Sequence, residues 1–69
     1  MPDGVYKRIE IIGTSPNSWE DAVENAVEKA SETLDDLRVC EVDKLDTRIE
    51  DDEVVAYRAR VKLSFKYQG

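Results

Sequence analysis

The spacing of apolar and polar positions changes period twice along the chain, and the two changes divide it into a strand, a helix and a long pair of strands. From Val5 to Ile12 the period is two. Val5, Ile9 and Ile11 share one face with Lys7, while Tyr6, Arg8, Glu10 and Ile12 share the other. β-Branched residues are frequent here, so a strand is expected, with Gly13 to Asn17 as the turn that ends it. The period then becomes helical. Trp19, Ala22, Val23, Ala26, Val27, Ala30 and Leu34 follow the three-four-seven spacing of a buried stripe. Ser18 is the expected N-cap, and Asp21 completes a box-like arrangement with it. Glu20 and Asp21 place negative charge in the first turn, where the helix dipole favours it. Three alanines on the stripe let a sheet approach closely. The helix is expected to end near Leu34, with Asp35 and Asp36 beyond it.

Period two returns at Leu37. Leu37 to Glu50 and Glu53 to Tyr67 read as a hairpin around Asp51-Asp52. Val55, Tyr57, Ala59, Val61, Leu63, Phe65 and Tyr67 face one way, and Arg58, Arg60, Lys62 and Lys66 the other. A two-residue loop sets Asp43 against Arg60, Glu41 against Lys62, Val42 against Val61 and Cys40 against Leu63, so charge and apolar matching agree. A helix of about four turns, roughly 24 Å long, cannot cover both ends of such a hairpin. Its far end, with Leu45, Ile49, Val54 and Val55, therefore reads as an arm that packs on other subunits. The chain is expected to form one α+β domain over residues 1–69, in the order β-α-β-β. It shows no repeats, low-complexity segments or linkers.

Composition sharpens the expectation of self-association. A chain of 69 residues builds a marginal core without a staple. One cysteine cannot make an internal disulfide, and the absence of histidine removes the usual zinc sites. Oligomerisation is the staple that remains. A free Cys40 suits a reducing compartment. No apolar run approaches the length of a membrane span and no signal peptide is visible, so the expected location is the cytoplasm, with no membrane partner. A net charge of −6, from 16 acidic and 10 basic residues, argues against nucleic acid as a partner.

Catalytic chemistry is not visible. Nucleophilic triads have no obvious base, and Gly13 is isolated rather than part of a phosphate loop. Cys40 reads as a small core residue. No enzyme is expected. Two acidic clusters carry oxygen ligands suited to hard cations: Asp35-Asp36, and Glu50-Asp51-Asp52-Glu53 in the hairpin turn. Neither has the spacing of a helix-loop-helix calcium loop, and both also serve as plain turn and surface residues. Copies of one acid meeting at a symmetry axis make a site that no single chain shows. Glu20, Glu24, Glu28 and Glu32 stack in one column, which destabilises an isolated helix by about 0.2–0.5 kcal/mol per pair. The column is either a solvated face or a place where a neighbouring subunit's bases, or cations, lie.

The order strand, Gly13-Thr14-Ser15, helix and long hairpin resembles a dodecin over nearly the whole chain. Val5-Tyr6-Lys7, Ile11-Ile12-Gly13-Thr14-Ser15, the alanine-rich helix, Val39-Cys40-Glu41-Val42 and Leu63-Ser64-Phe65 carry the resemblance. It implies a three-stranded antiparallel sheet partly wrapped around one helix, and a hollow homo-dodecamer of cubic symmetry that sequesters flavins and is not an enzyme. Two positions depart from flavin-binding dodecins. Val39 stands where a tryptophan sandwiches the flavin ring, and Arg58 where a glutamine hydrogen-bonds it. Stacking contributes about 0.5–1.5 kcal/mol beyond area burial, and arginine donates but cannot accept. The pattern Thr14-Ser15-Pro16-Asn17-Ser18-Trp19, with Asp35-Asp36-Leu37-Arg38-Val39 later, is similar to a divergent branch, the calcium dodecins, which also lacks the tryptophan. The resemblance implies a small-ligand or ion-buffering shell, with calcium favoured, flavin storage in an altered pocket as the alternative, and a structural shell without a ligand as the third reading.

Overall fold

The computed structural model describes residues 4–66. Four elements follow one another: β1 (Tyr6–Ser15), α1 (Trp19–Ser31), β2 (Leu37–Glu50) and β3 (Glu53–Lys66). The strands form one antiparallel sheet in the order β1-β3-β2. The β-α-β-β expectation holds. Tyr67, expected at the end of the last strand, lies outside the described residues.

The first strand runs three residues past the expected Ile12. Gly13, Thr14 and Ser15 stay in the ladder, opposite Ala59, Arg58 and Tyr57. Gly13 is strand, not turn, and its missing side chain serves packing. A Cβ there would overlap the carbonyl oxygen of Ala22 and lie 2.9 Å from the Cβ of Ala26. The helix therefore rests on the strand backbone, and Ala22, Ala26 and Ala30 are its buried residues. Ala59, Val61 and Leu63 of the central strand complete the core, with Ile9, Ile11, Val23, Val27, Leu34, Leu37 and Cys40 packed around it.

Ser18 caps α1 as expected, its hydroxyl accepting the Asp21 N–H at 3.0 Å. The return half of the box takes another form. The Asp21 carboxylate accepts the Ser15 hydroxyl at 2.7 Å, and Ser15 Oγ accepts the Asn17 N–H at 2.9 Å. Ser15 is buried, so a polar side chain at the strand end is fully engaged in turning the chain into the helix. The helix closes at Ser31, three residues before the expected Leu34. The Thr33 and Leu34 N–H groups both donate to Ala30 O, which winds the chain into a tight turn and brings Leu34 back against the core. Asp35 and Asp36 thus lie in a loop beyond the helix, and Lys29 supplies the favourable charge in the last turn.

The hairpin turns at Asp51-Asp52 as expected, and both residues have positive φ, at 51° and 64°. Such values match the twist of a two-residue hairpin loop, and aspartate tolerates them better than most side chains. Cys40–Leu63, Glu41–Lys62 and Val42–Val61 pair as expected. Between these pairs and the turn the register differs. One irregularity lies between Arg48 and Ile49 and a second between Val42 and Lys44, so residues 44–48 pair one position out of the simple two-residue-loop alignment. Asp43 becomes a bulge residue, yet its carboxylate stays 3.3 Å from Arg60 Nε. The shift sets Leu45 opposite Ala59 and Asp46 opposite Arg58. Unshifted pairing would have placed Leu45 against Arg58.

The described chain is 54 Å in its longest dimension. A helix of 13 residues covers about 20 Å of it. Leu45, Ile49, Val54 and Val55, the residues of the expected arm, are all exposed, Ile49 at 61%. Gly13→Ala is expected to destabilise the fold by roughly 3 kcal/mol, at the upper end of overpacking effects, because the obstacle is helix backbone that no rotamer change relieves. Gly4→Ala, which meets nothing within 4 Å, is the control. Urea denaturation at one fixed protein concentration separates the two; equal midpoints for Gly13→Ala and wild type would refute the close-contact argument.

Candidate functional site

The two sheet faces differ in kind. Ile9, Ile11, Gly13 and Ser15 of β1 lie across from odd-numbered residues of β3 on the helix side. The even-numbered residues of β3 face away from the helix, opposite Arg8, Glu10, Ile12 and Thr14 on one side. On the other side they meet Glu41, Lys44 and Asp46 of β2. That open face carries an ionic lattice. Arg8 Nη2 reaches Glu41 Oε1 at 2.9 Å, and Arg60 Nε lies 3.3 Å from both Glu10 Oε2 and Asp43 Oδ2.

The best-formed contact on this face is bidentate. Arg58 Nε donates to Asp46 Oδ1 at 2.7 Å, and Nη2 to Oδ2 at 3.0 Å. This fork geometry is what a guanidinium offers a carboxylate. The hydrogen bond from Arg58, aided by the charges of Arg58 and Arg60, holds the Asp46 carboxyl below its ordinary range despite some desolvation. Arg58 is pushed up by the same bond. The backbone of Asp46 is fixed from the helix side: Trp19 Nε1 donates to its carbonyl oxygen at 3.0 Å, and the Trp19 ring meets Tyr57 edge-on with centroids 5.0 Å apart. Trp19, expected in the apolar stripe, is instead 39% exposed and ties the start of α1 to the hairpin.

The degenerate flavin positions are not neighbours within the chain. Val39 pairs with Ser64 and Arg58 with Asp46, six residues apart along β3, which is about 20 Å at the rise of a strand. Val39 is exposed and Arg58 is engaged by Asp46. A pocket using both residues requires more than one copy.

The acidic candidates are exposed and separated by the length of the sheet. Asp35 and Asp36 lie in the loop before β2, and Asp36 has φ 61°. Glu50, Asp51, Asp52 and Glu53 lie at the hairpin tip, where Glu50 also pairs with Arg48. Glu20, Glu24, Glu28 and Glu32 are all exposed, and Glu32 lies 3.4 Å from Lys29 Nζ. Among the described residues no three acid or cysteine side chains gather closely enough to hold a metal ion. Burial pushes the Cys40 thiol up, away from the reactive thiolate. A hollow of about 540 Å³ forms an apolar groove beside the free edge of β1, lined by residues that include Ile9, Ile11, Ala26, Ala30 and Leu34. No described helix is long and apolar enough to cross a membrane.

Sequence reasoning missed Lys44, Asp46 and Arg60 as members of one cluster. The available signal was the mismatch of Leu45 with Arg58 in the simple register, which a bulge on each strand removes.

A sheet of this order, packed on one helix and leaving much of a hairpin of two 14-residue strands uncovered, defines a class of small domain whose sites lie on surfaces rather than in an enclosed cavity. The family model for Dodecin matches residues 5–68, and the chain belongs to the dodecin family. It is 45% identical over 62 residues to the calcium dodecin of Mycobacterium tuberculosis, a match covering 90% of this chain and 87% of that protein. The solved dodecin of Streptomyces coelicolor superposes with a TM-score of 0.93 at 38% identity, covering 100% of this chain and 99% of that one. A solved structure of the Mycobacterium tuberculosis protein, described as a calcium-chelating antigen with a novel calcium-binding site, superposes with a TM-score of 0.84 at 43% identity. That match covers 94% of this chain and 93% of the other.

Because the folded-state pKa of Asp46 is lowered, its pair with Arg58 contributes stability above the ordinary aspartate value and loses it as pH falls through the folded value. Both side chains are well solvated, so the effect is small. Melting temperature followed from neutral to acid pH is expected to fall less steeply for Asp46→Asn than for wild type at the acid end. Parallel curves would show that the pair contributes nothing to the pH dependence.

Proposed function

We propose that the chain assembles into a hollow homo-dodecamer that is not an enzyme and that takes up a cation, calcium before others. The observation that carries this reading is the 45% identity to a protein named for calcium. The local chemistry is compatible with it. Asp35 and Asp36, and Glu50 to Glu53, present carboxylates outside the core, and calcium takes about six to eight oxygen ligands in flexible geometry. One chain supplies too few at either place, so copies meeting at an axis would complete the shell. The glutamate column from Glu20 to Glu32 adds negative potential on the helix side.

Flavin storage is the second reading, and it rests on family membership. Val39 offers no ring face, and Arg58 must leave Asp46 before it can meet a flavin. The calcium reading makes a concrete demand of chelator-treated protein. Calorimetry is expected to show saturable calcium binding at less than one ion per chain, and a hundredfold excess over Kd to add about 2.7 kcal/mol of stability. Neutralising one cluster, as Asp35→Asn with Asp36→Asn or as Asp51→Asn with Asp52→Asn, is expected to abolish the heat and so assign the site. No heat together with no shift in melting temperature would sink the metal role, and quenching of added riboflavin fluorescence would then favour the flavin reading.

A further inference from the structure

The bulges of the hairpin create an ionic arrangement on the open sheet face that the fold does not require. Lys44 stands directly opposite Arg60, and like charges so placed are destabilising. Simple two-residue-loop pairing would have set Arg60 against Asp43 instead. The bulge at Asp43 therefore sets a like charge opposite Arg60 in the ladder while the Asp43 carboxylate stays 3.3 Å from Arg60 Nε, and bulges commonly re-aim side chains near functional sites. Beside this pair lies a hollow of about 190 Å³, lined by Ile12, Lys44, Asp46, Arg58 and Arg60.

The hollow is locally basic in a chain whose net charge is −6. Its lining holds three cations and one carboxylate, and that carboxylate is already taken by Arg58. Lys44 joins no ion pair among the described residues. Arg60 Nε is buried without a hydrogen-bond acceptor. Glu10 and Asp43 offset its charge from 3.3 Å on the two outer strands, but neither takes its proton donor, and neither lines the hollow. A buried donor left so costs free energy that an acceptor would recover.

We infer that this hollow binds a small oxyanion, a phosphate group in chemical class, with Lys44 and Arg60 as its donors and the Arg58–Asp46 pair as its fixed wall. The volume is below the roughly 300–1,000 Å³ of pockets for drug-sized ligands, so it suits a tetrahedral anion and not a ring system. The site is separate from the acidic clusters and does not rest on the calcium reading. The phosphate comes either as the free ion or as the end of a monoester.

Calorimetry on assembled, chelator-treated protein tests the site, with inorganic phosphate titrated against chloride at equal ionic strength. Saturable heat is expected for phosphate. Lys44→Gln is expected to weaken it roughly tenfold, the scale of one charge-assisted hydrogen bond, while Lys44→Arg and the remote Lys7→Gln retain it. Phenyl phosphate displacing inorganic phosphate would assign the site to monoesters, and failure to displace would assign it to the free ion. Absence of saturable heat with inorganic phosphate, or equal weakening by Lys44→Gln and Lys7→Gln, would overturn the inference.

Discussion

The distance between helix and sheet is set at one point, where the backbone of Gly13 meets the turn of α1 that contains Ala22 and Ala26. Everything else in the subunit is arranged around that contact. The helix can come so close only because its inward residues are alanines, and alanine stripes bury little area each. The core is consequently thin, with Val61 and Leu63 as its largest fully buried apolar side chains. A close contact gains dispersion from backbone atoms on both sides, but it leaves the fold without the bulky interior of a larger domain. Ser15 follows from the same constraint. Two residues past Gly13 the chain must leave the sheet and enter the helix, and the buried hydroxyl that holds Asp21 and the Asn17 N–H makes that change of direction without an unsatisfied polar group.

How far the sequence could be read follows from which signals are local. The N-cap at Ser18, the alanine stripe and the pairing of Glu41 with Lys62 each depend on residues a few positions apart or on one matched ladder, and the structure shows all three. The ends of elements were less legible. Gly13 looked like a stop because glycine weakens strands, and only the nearness of the helix explains why it stays inside one. Leu34 looked helical by spacing, yet it reaches the core through a tight turn and not through another helical residue. The candidate ionic site was the least legible part. It depends on two irregularities that cancel, so that the pairs on both sides of them are in the expected register while those between are not. The acidic clusters were visible as composition, but composition does not say whether copies bring them together.

Charge is also sorted by face. The outer side of α1 carries Glu20, Glu24 and Glu28 with Lys29 as its one base. The open sheet face carries Arg8, Arg58, Arg60 and Lys62, with acids interleaved from the outer strands. The net charge of −6 is therefore an average over two unlike surfaces. This matters for a shell, because a sheet and a helix stacked as two layers must present different faces to the two sides of its wall.

The uncovered hairpin is the part of the chain on which the proposed assembly depends. Val42, Leu45, Ile49 and Val54 are each close to half exposed or more, and apolar exposure on this scale marks an interaction surface in a soluble protein. The apolar groove beside β1 lies on a free strand edge, which is a second surface that asks to be covered. An exposed arm and an edge groove on the same chain are different patches, so contact between them is heterologous, and heterologous contacts close into rings or run on as filaments. The proposed closed shell would leave neither surface bare. The thin core set by Gly13 and the long bare hairpin are therefore two sides of one arrangement, and in the proposed assembly the stability missing inside one chain would be supplied between copies.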